Sequence, residues 1–187
     1  MAVTAKGTPY VESSDNVADY PGVSLALANH IDDTAGKVLQ VVSVTKTDTF
    51  TTTSSSYADI TGLTATITPS SVNSKIYISS VINGHAMSTT QGYFQLVRGS
   101  TAIAVGDAAG ARIQASTQMR NISGNNGQQS VGILFLDAPA SISALTYKIQ
   151  TRNQGDGTIF VNRSQSDVNS GDSSRTVSTI TLMEISA

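Results

Sequence analysis

The stretch that decides the fold is "KIYISSVI", residues 75–82. Ile76, Ile78, Ser80 and Ile82 fall on one side of an extended chain, and Tyr77, Ser79 and Val81 on the other. That two-residue period belongs to a β-strand with one face in a core. Similar stretches recur on both sides of it at roughly ten-residue spacing, separated by Ser, Asn, Gly and Pro. The pattern predicts strands over residues 37–46, 48–53, 62–68, 74–82, 92–98, 101–105, 112–118, 128–137, 144–152, 158–162 and 176–185. In "LTYKIQTRNQGDGTIFVNR", Asp156-Gly157 predicts a tight turn that would join two of these strands as a hairpin. No helical period recurs between strands, so a parallel α/β sheet is not expected. The fold expected is all-β: a two-sheet antiparallel sandwich, jelly-roll-like.

Composition agrees. Charged residues make up 13% of the 187-residue chain and aromatics 5%, while Ser and Thr supply about a quarter. β-branched and small hydroxyl side chains suit a pleated surface. The chain has no cysteine, which removes disulfides and thiolate chemistry and fits assembly in a reducing cytoplasm. Its formal net charge of −2 gives no counterion-release drive toward nucleic acid. No stretch is long and apolar enough for a membrane span, so no membrane insertion is expected.

Two strands are apolar on both faces. Residues 130–139 put Val131, Ile133 and Phe135 on one side and Leu134 and Leu136 on the other. Residues 178–186 carry Ile180, Leu182 and Ile185 with Met183 between them. Two-sided apolar strands need a cover beyond the opposing sheet. A subunit interface at Leu134, Leu136, Leu182 and Met183 would supply it, and so would an arm or loop of the same chain.

The N-terminal 35 residues differ from the rest. They hold Lys6 against Glu12, Asp15, Asp19, Asp32 and Asp33, whereas the remainder has a slight basic excess. Pro21 suits a first helical turn, and Val23, Leu27 and Ile31 follow at four-residue spacing. This predicts a short helix over about residues 20–31. Such a helix is marginal alone and must pack on its own body, a second copy or a docking partner. The division expected is an anchoring arm, 1–35, and a sandwich body, 36–187.

Signals for catalysis are thin. His30 and His85 lie far apart in sequence, and no G-x-S-x-G elbow occurs. Asp167, Asn169 and Asp172 offer oxygen ligands suited to calcium, but without the spacing of an EF-hand loop. No catalytic residue, metal site or cofactor is therefore expected. Polar loops at 84–92, 121–129 and 164–174 suit hydrogen bonding to sugar hydroxyls. His85, Asn121, Asn125, Asn126, Asp167 and Asn169 are their candidate receptor residues, with host surface polysaccharide as the expected ligand.

"AKGTPYVESSDNVADYPGVSLALANHID" resembles an N-terminal segment of phage virion proteins, especially from marine and cyanobacterial phages. "TDTFTTTSSSYADITGLTATITPSSVNSKIYISSVI", "FQLVRGSTAIAVGD" and "STITLMEIS" resemble the β-domains of phage tail-fibre and virion structural proteins. The resemblance implies a non-enzymatic virion surface protein, assembled in the host cytoplasm. In that picture residues 1–35 anchor to tail or capsid proteins and the body projects outward, often as a homotrimer, for host attachment. No collagen-like, coiled-coil or β-helical shaft separates arm from body, which favours a short spike or fibre subunit over a long fibre. A capsid decoration or head-fibre protein is the alternative, and a free carbohydrate-binding adhesin module the second.

Overall fold

The computed structural model describes residues 2–3, 9–10, 37–87, 90–120 and 124–187. The chain divides into two units, Met1–Lys37 with Ala187, and Val38–Ser186. Of the first, the described part is a small antiparallel pair, β1 (Ala2–Val3) with β2 (Pro9–Tyr10). The expected helix, with Val23, Leu27 and Ile31, lies outside the described residues.

The second unit is all-β. Its strands are β3 (Val38–Lys46), β4 (Phe50–Thr52), β5 (Ala58–Ile67), β6 (Lys75–Ala86), β7 (Gln91–Arg98), β8 (Thr101–Ile103), β9 (Thr117–Arg120), β10 (Gln129–Asp137), β11 (Leu145–Gln154), β12 (Ile159–Val161) and β13 (Ser178–Ile185). The first sheet runs β3-β13-β6, with β10 on the far side of β6 and β12 and β4 continuing beyond the end of β13. The second runs β5-β11-β7, with β8 and β9 sharing the outer edge of β7. All pairings are antiparallel.

Setting aside the short strands β4, β8 and β12, four nested pairs remain: β3 with β13, β5 with β11, β6 with β10, and β7 with β9. First pairs with last, second with seventh, third with sixth and fourth with fifth. This is one long hairpin wound around a barrel axis, the jelly-roll connectivity. It leaves β3, β13, β6 and β10 in one layer and β5, β11, β7 and β9 in the other.

The period-two pattern decides what lies between the layers. Ile76, Ile78 and Ile82 of β6, Phe94 and Leu96 of β7, Ile149 of β11 and Ile180 and Leu182 of β13 are fully buried. Each such side chain contributes about 1.5–3 kcal/mol by leaving water. In β5 the alternation breaks: Ile60 and Leu63 are both fully buried, three residues apart. Gly62 between them takes φ +87° and the pairing with β11 shifts register there, so a bulge turns the strand back onto its core face.

A buried polar cluster joins the layers at Asp137. Asp137 of β10 accepts from Arg98 Nη1 at 2.6 and 2.8 Å, and from the hydroxyl of buried Tyr147 at 2.6 Å. Burial pushes the Tyr147 phenol upward, and the Asp137 carboxylate adds to that, so it remains a donor.

Two local expectations need correction. Strand β9 begins at Thr117, whereas 112–118 was expected; residues 112–116 belong to a loop instead. The hairpin over Asp156-Gly157 does not form: β11 pairs β5 and β7 in the second sheet, while β12 pairs β4 and β6 in the first. The positive φ falls at Gly155, +91°, and the chain crosses from one layer to the other.

Candidate functional site

The outward face of the first sheet carries one apolar row among uncharged polar ones. Register aligns Val41 with Met183, Met183 with Tyr77, and Tyr77 with Leu136. One apolar row therefore crosses all four strands. Leu134 begins the next row, followed by Ser79, Thr181 and Ser43, with Ser43 and Thr181 hydroxyls 2.8 Å apart. Leu134 is 67% exposed, Val41 55% and Leu136 49%. Val38 and Leu39 at the start of β3 and Val81 of β6 extend the exposed apolar surface.

Across the outward positions of β3, β13, β6 and β10 there is one ionised side chain, Lys75, at the end of β6. Glu184 lies on β13 but faces inward and is fully buried. Its oxygens accept from Gln40 Nε2 at 2.6 Å, from Ser70 N at 2.7 Å and from Ser70 Oγ at 2.6 Å. Burial alone would raise this carboxyl; the donors outweigh burial and hold it down to about 2. The Glu184 charge is thus turned inside and satisfied there, and Lys75 is left as the one ionised group on the face. Contiguous exposed apolar surface of this kind marks an association site in soluble proteins.

Of the residues expected at an interface, Leu134, Leu136 and Met183 point outward on this face, and Leu182 does not. Leu182 alternates inward with Ile180 and is fully buried in the core, so it contributes packing within the chain. Val41 and Tyr77 complete the row, and sequence reading missed them. They are neighbours of Met183 through strand pairing, information that no single strand carries.

The polar loops also come together, in part. Ser166 N donates to Asn125 O at 3.0 Å, and Gln128 Nε2 to Ser174 O at 2.9 Å. Thr176 Oγ1 donates to Gln128 Oε1 at 2.7 Å. Loops 124–128 and 164–176 therefore form one surface at the end of the sandwich. Asn125, Asn126 and Asn169 are exposed on it, and Asn121 lies outside the described residues. His85 belongs beneath it: the ring is 1% exposed, its Nδ1–H donates to Gly127 O at 2.7 Å, and it packs beside Phe160. A receptor contact by His85 is thereby corrected to support of the loop above it.

Asp167 is taken up as well. Arg175 donates to both carboxylate oxygens, and Arg163 Nη1 lies 3.2 Å away. The Arg175 hydrogen bonds hold this carboxyl below the ordinary aspartate value. With two guanidinium groups on one carboxylate, the position suits a loop clamp better than a calcium ligand. Among the described residues no group of three or more His, Asp or Glu side chains converges, and no described helix is long and apolar enough to cross a membrane.

Comparison with known proteins adds little. No family model matches the chain, and no curated protein matches it. The resemblance to phage virion proteins thus stands on the quoted segments alone. Among solved structures, the chain is similar to one described as "Structure of infectious bursal disease virus Gx strain", at 14% identity and a TM-score of 0.35. That match covers 82% of this chain and 42% of the other, so the chain spans less than half of its neighbour.

Proposed function

We propose that the chain is a non-enzymatic virion surface protein, a trimeric component of a tail fibre or short spike. Residues 1–35 anchor it to the particle, and the jelly roll is displayed for host attachment. The observation that carries this reading is the uncharged apolar row Val41–Met183–Tyr77–Leu136, with Leu134 beside it, on a domain whose core is already closed. The occupant is a second copy of this chain. A face with one ionised group meets its own copy without like-charge repulsion and loses little hydration of charge on burial. The same face offers little to a ligand recognised by charge. The joined loops at 124–128 and 164–176 are then free at the end of the sandwich, where receptor contact is made.

Gold labelling of purified particles with antibody against residues 37–187 tests the assignment. Label confined to the tail end is the expected result. Label spread over the head would make the chain a capsid decoration or head-fibre protein. Particles without label would overturn the virion reading.

A further inference from the structure

The outward face of the second sheet has a different chemistry. Arg152 stands opposite Tyr93, and Tyr93 opposite Gln118, so the three project from one row across β11, β7 and β9. The Arg152 guanidinium lies 5.8 Å from the ring centroid of Tyr57, just ahead of β5, which extends the row to the far edge of the sheet. Neighbouring rows place Gln154 opposite Gln91 and Gln150 opposite Gln95. These side chains hold one another in place. The Tyr93 hydroxyl lies 2.7 Å from Gln154 Oε1 and 3.0 Å from Gln91 Oε1, and Gln95 Nε2 donates to Gln150 Oε1 at 2.7 Å.

Segment 104–116, between β8 and β9, crosses above this floor. It is fixed at one end by Ser116, whose N donates to Phe94 O at 2.8 Å and whose Oγ accepts from Leu96 N at 3.0 Å. It folds back on itself, with Gly106 N donating to Ala115 O at 3.2 Å, and the Tyr57 hydroxyl donates to Gln114 O of the returning arm at 2.7 Å. Tyr57 thus ties the segment to the opposite edge of the sheet. Between the two lies an open cleft of about 570 Å³, lined by Tyr93, Gln154, Ala111, Arg112 and Ile113. A second pocket of about 280 Å³ adjoins it, sharing Tyr93, Arg112 and Ile113 and adding Asp107 and Gln118.

The lining matches what a sugar needs. An aromatic ring offers a flat apolar face to pyranose C–H groups, and side-chain amides donate to and accept from hydroxyls. Arg112, which lines both pockets, adds a preference. Its Nη1 donates to Ala109 O of its own segment at 3.2 Å, and it forms no ion pair with a carboxylate among the described residues. A guanidinium facing a cleft with donors to spare is suited to a carboxylate. Asp107 in the adjoining pocket suits hydroxyl groups as an acceptor. Single-stranded nucleic acid fits less well, because it requires a cationic track along the backbone and this chain has net charge −2.

We propose that the cleft between the Tyr93 row and segment 104–116 binds an acidic glycan, with a sugar ring against Tyr93 and its carboxylate at Arg112. The site is on the opposite layer from the apolar row and shares no residue with it. It also shares no lining residue with the loops at 124–128 and 164–176. It therefore stands or falls separately from the oligomer.

The test is retention of the full chain on a printed array of carboxylate-bearing oligosaccharides and their carboxyl-reduced counterparts, followed by titration of the best binder. Carboxylate-bearing glycans are expected to be retained and the reduced forms not. R112Q should weaken binding about tenfold, since one charge-assisted pair is worth about that factor, and R112K should restore part of it. Y93A should abolish retention while Y93F keeps the ring and most of the affinity. Arg112 is exposed, so its variants leave the fold intact. Retention of no glycan, equal retention of the reduced forms, or a titration unchanged by R112Q would each overturn the proposal.

Discussion

At the scale of single residues, a few buried polar groups fix strands and the loops between them. Asn162 is the densest of them. It is fully buried at φ +61°, a conformation that asparagine tolerates better than most residues. Its Nδ2 donates to Lys46 O and Asp48 O, both at 2.9 Å, and its Oδ1 accepts from Ser178 Oγ at 2.6 Å. Asn162→Ala removes three hydrogen bonds at once and should cost about 3 kcal/mol in urea unfolding. Glu184 gives a pH signature. Its carboxyl is held at about 2 against an ordinary 4.5, so the folded state prefers the ionised form. That contribution is complete above the unfolded value and is lost as pH falls from about 4.5 towards 2. Glu184→Gln should lower stability by about 2 kcal/mol at pH 7, because an amide presents a donor to Ser70 or Gln40. It should also flatten the acid limb between pH 4.5 and 3. A variant that loses as much stability as the parent over that interval would show that Glu184 does not titrate on unfolding.

At the scale of elements, the seam between β6 and β12 depends on one glycine. A Cβ at Gly84 would stand 2.0 Å from Phe160 O, inside any contact distance, so Gly84→Ala must separate the strands. It should lower the melting temperature by well over 5 °C or prevent soluble expression. Gly132 on β10 is the contrast, since its Cβ would meet Ser80 O at 3.8 Å, an ordinary contact. Gly132→Ala should leave stability within about 1 kcal/mol of the parent. The same scale shows what the sequence could and could not carry. Strands such as β6 and β10 are legible because alternation is a property of one segment, and their inward and outward sides follow directly. The β11–β12 connection was misread because a Gly-containing turn between two strands looks the same whether they pair or part. The apolar row was half legible: Leu134, Leu136 and Met183 show their two-sidedness locally. Leu182 was assigned to the wrong side, and Val41 and Tyr77 join the row only through register. The proposed glycan cleft was not legible at all, since Tyr93, Arg112 and Gln154 meet only where the loop before β9 folds over the sheet.

At the scale of the molecule, the two faces of the jelly roll divide the work. The first sheet's face carries an apolar row and a single ionised side chain, which suits the proposed contact between copies; the second carries amides, tyrosines and arginines, which suits the proposed glycan. Every core residue named here belongs to Val38–Ser186, so a chain starting at Lys37 should still unfold cooperatively, and a non-cooperative melt would mean the first unit is part of the core. The most direct test of the account is the native mass of the full chain at micromolar concentration, beside a variant carrying Leu134→Asp and Leu136→Asp. The account predicts three times 19.4 kDa for the parent and a single chain for the variant. A parent at 19.4 kDa, or a variant that keeps the parent's mass, would contradict it.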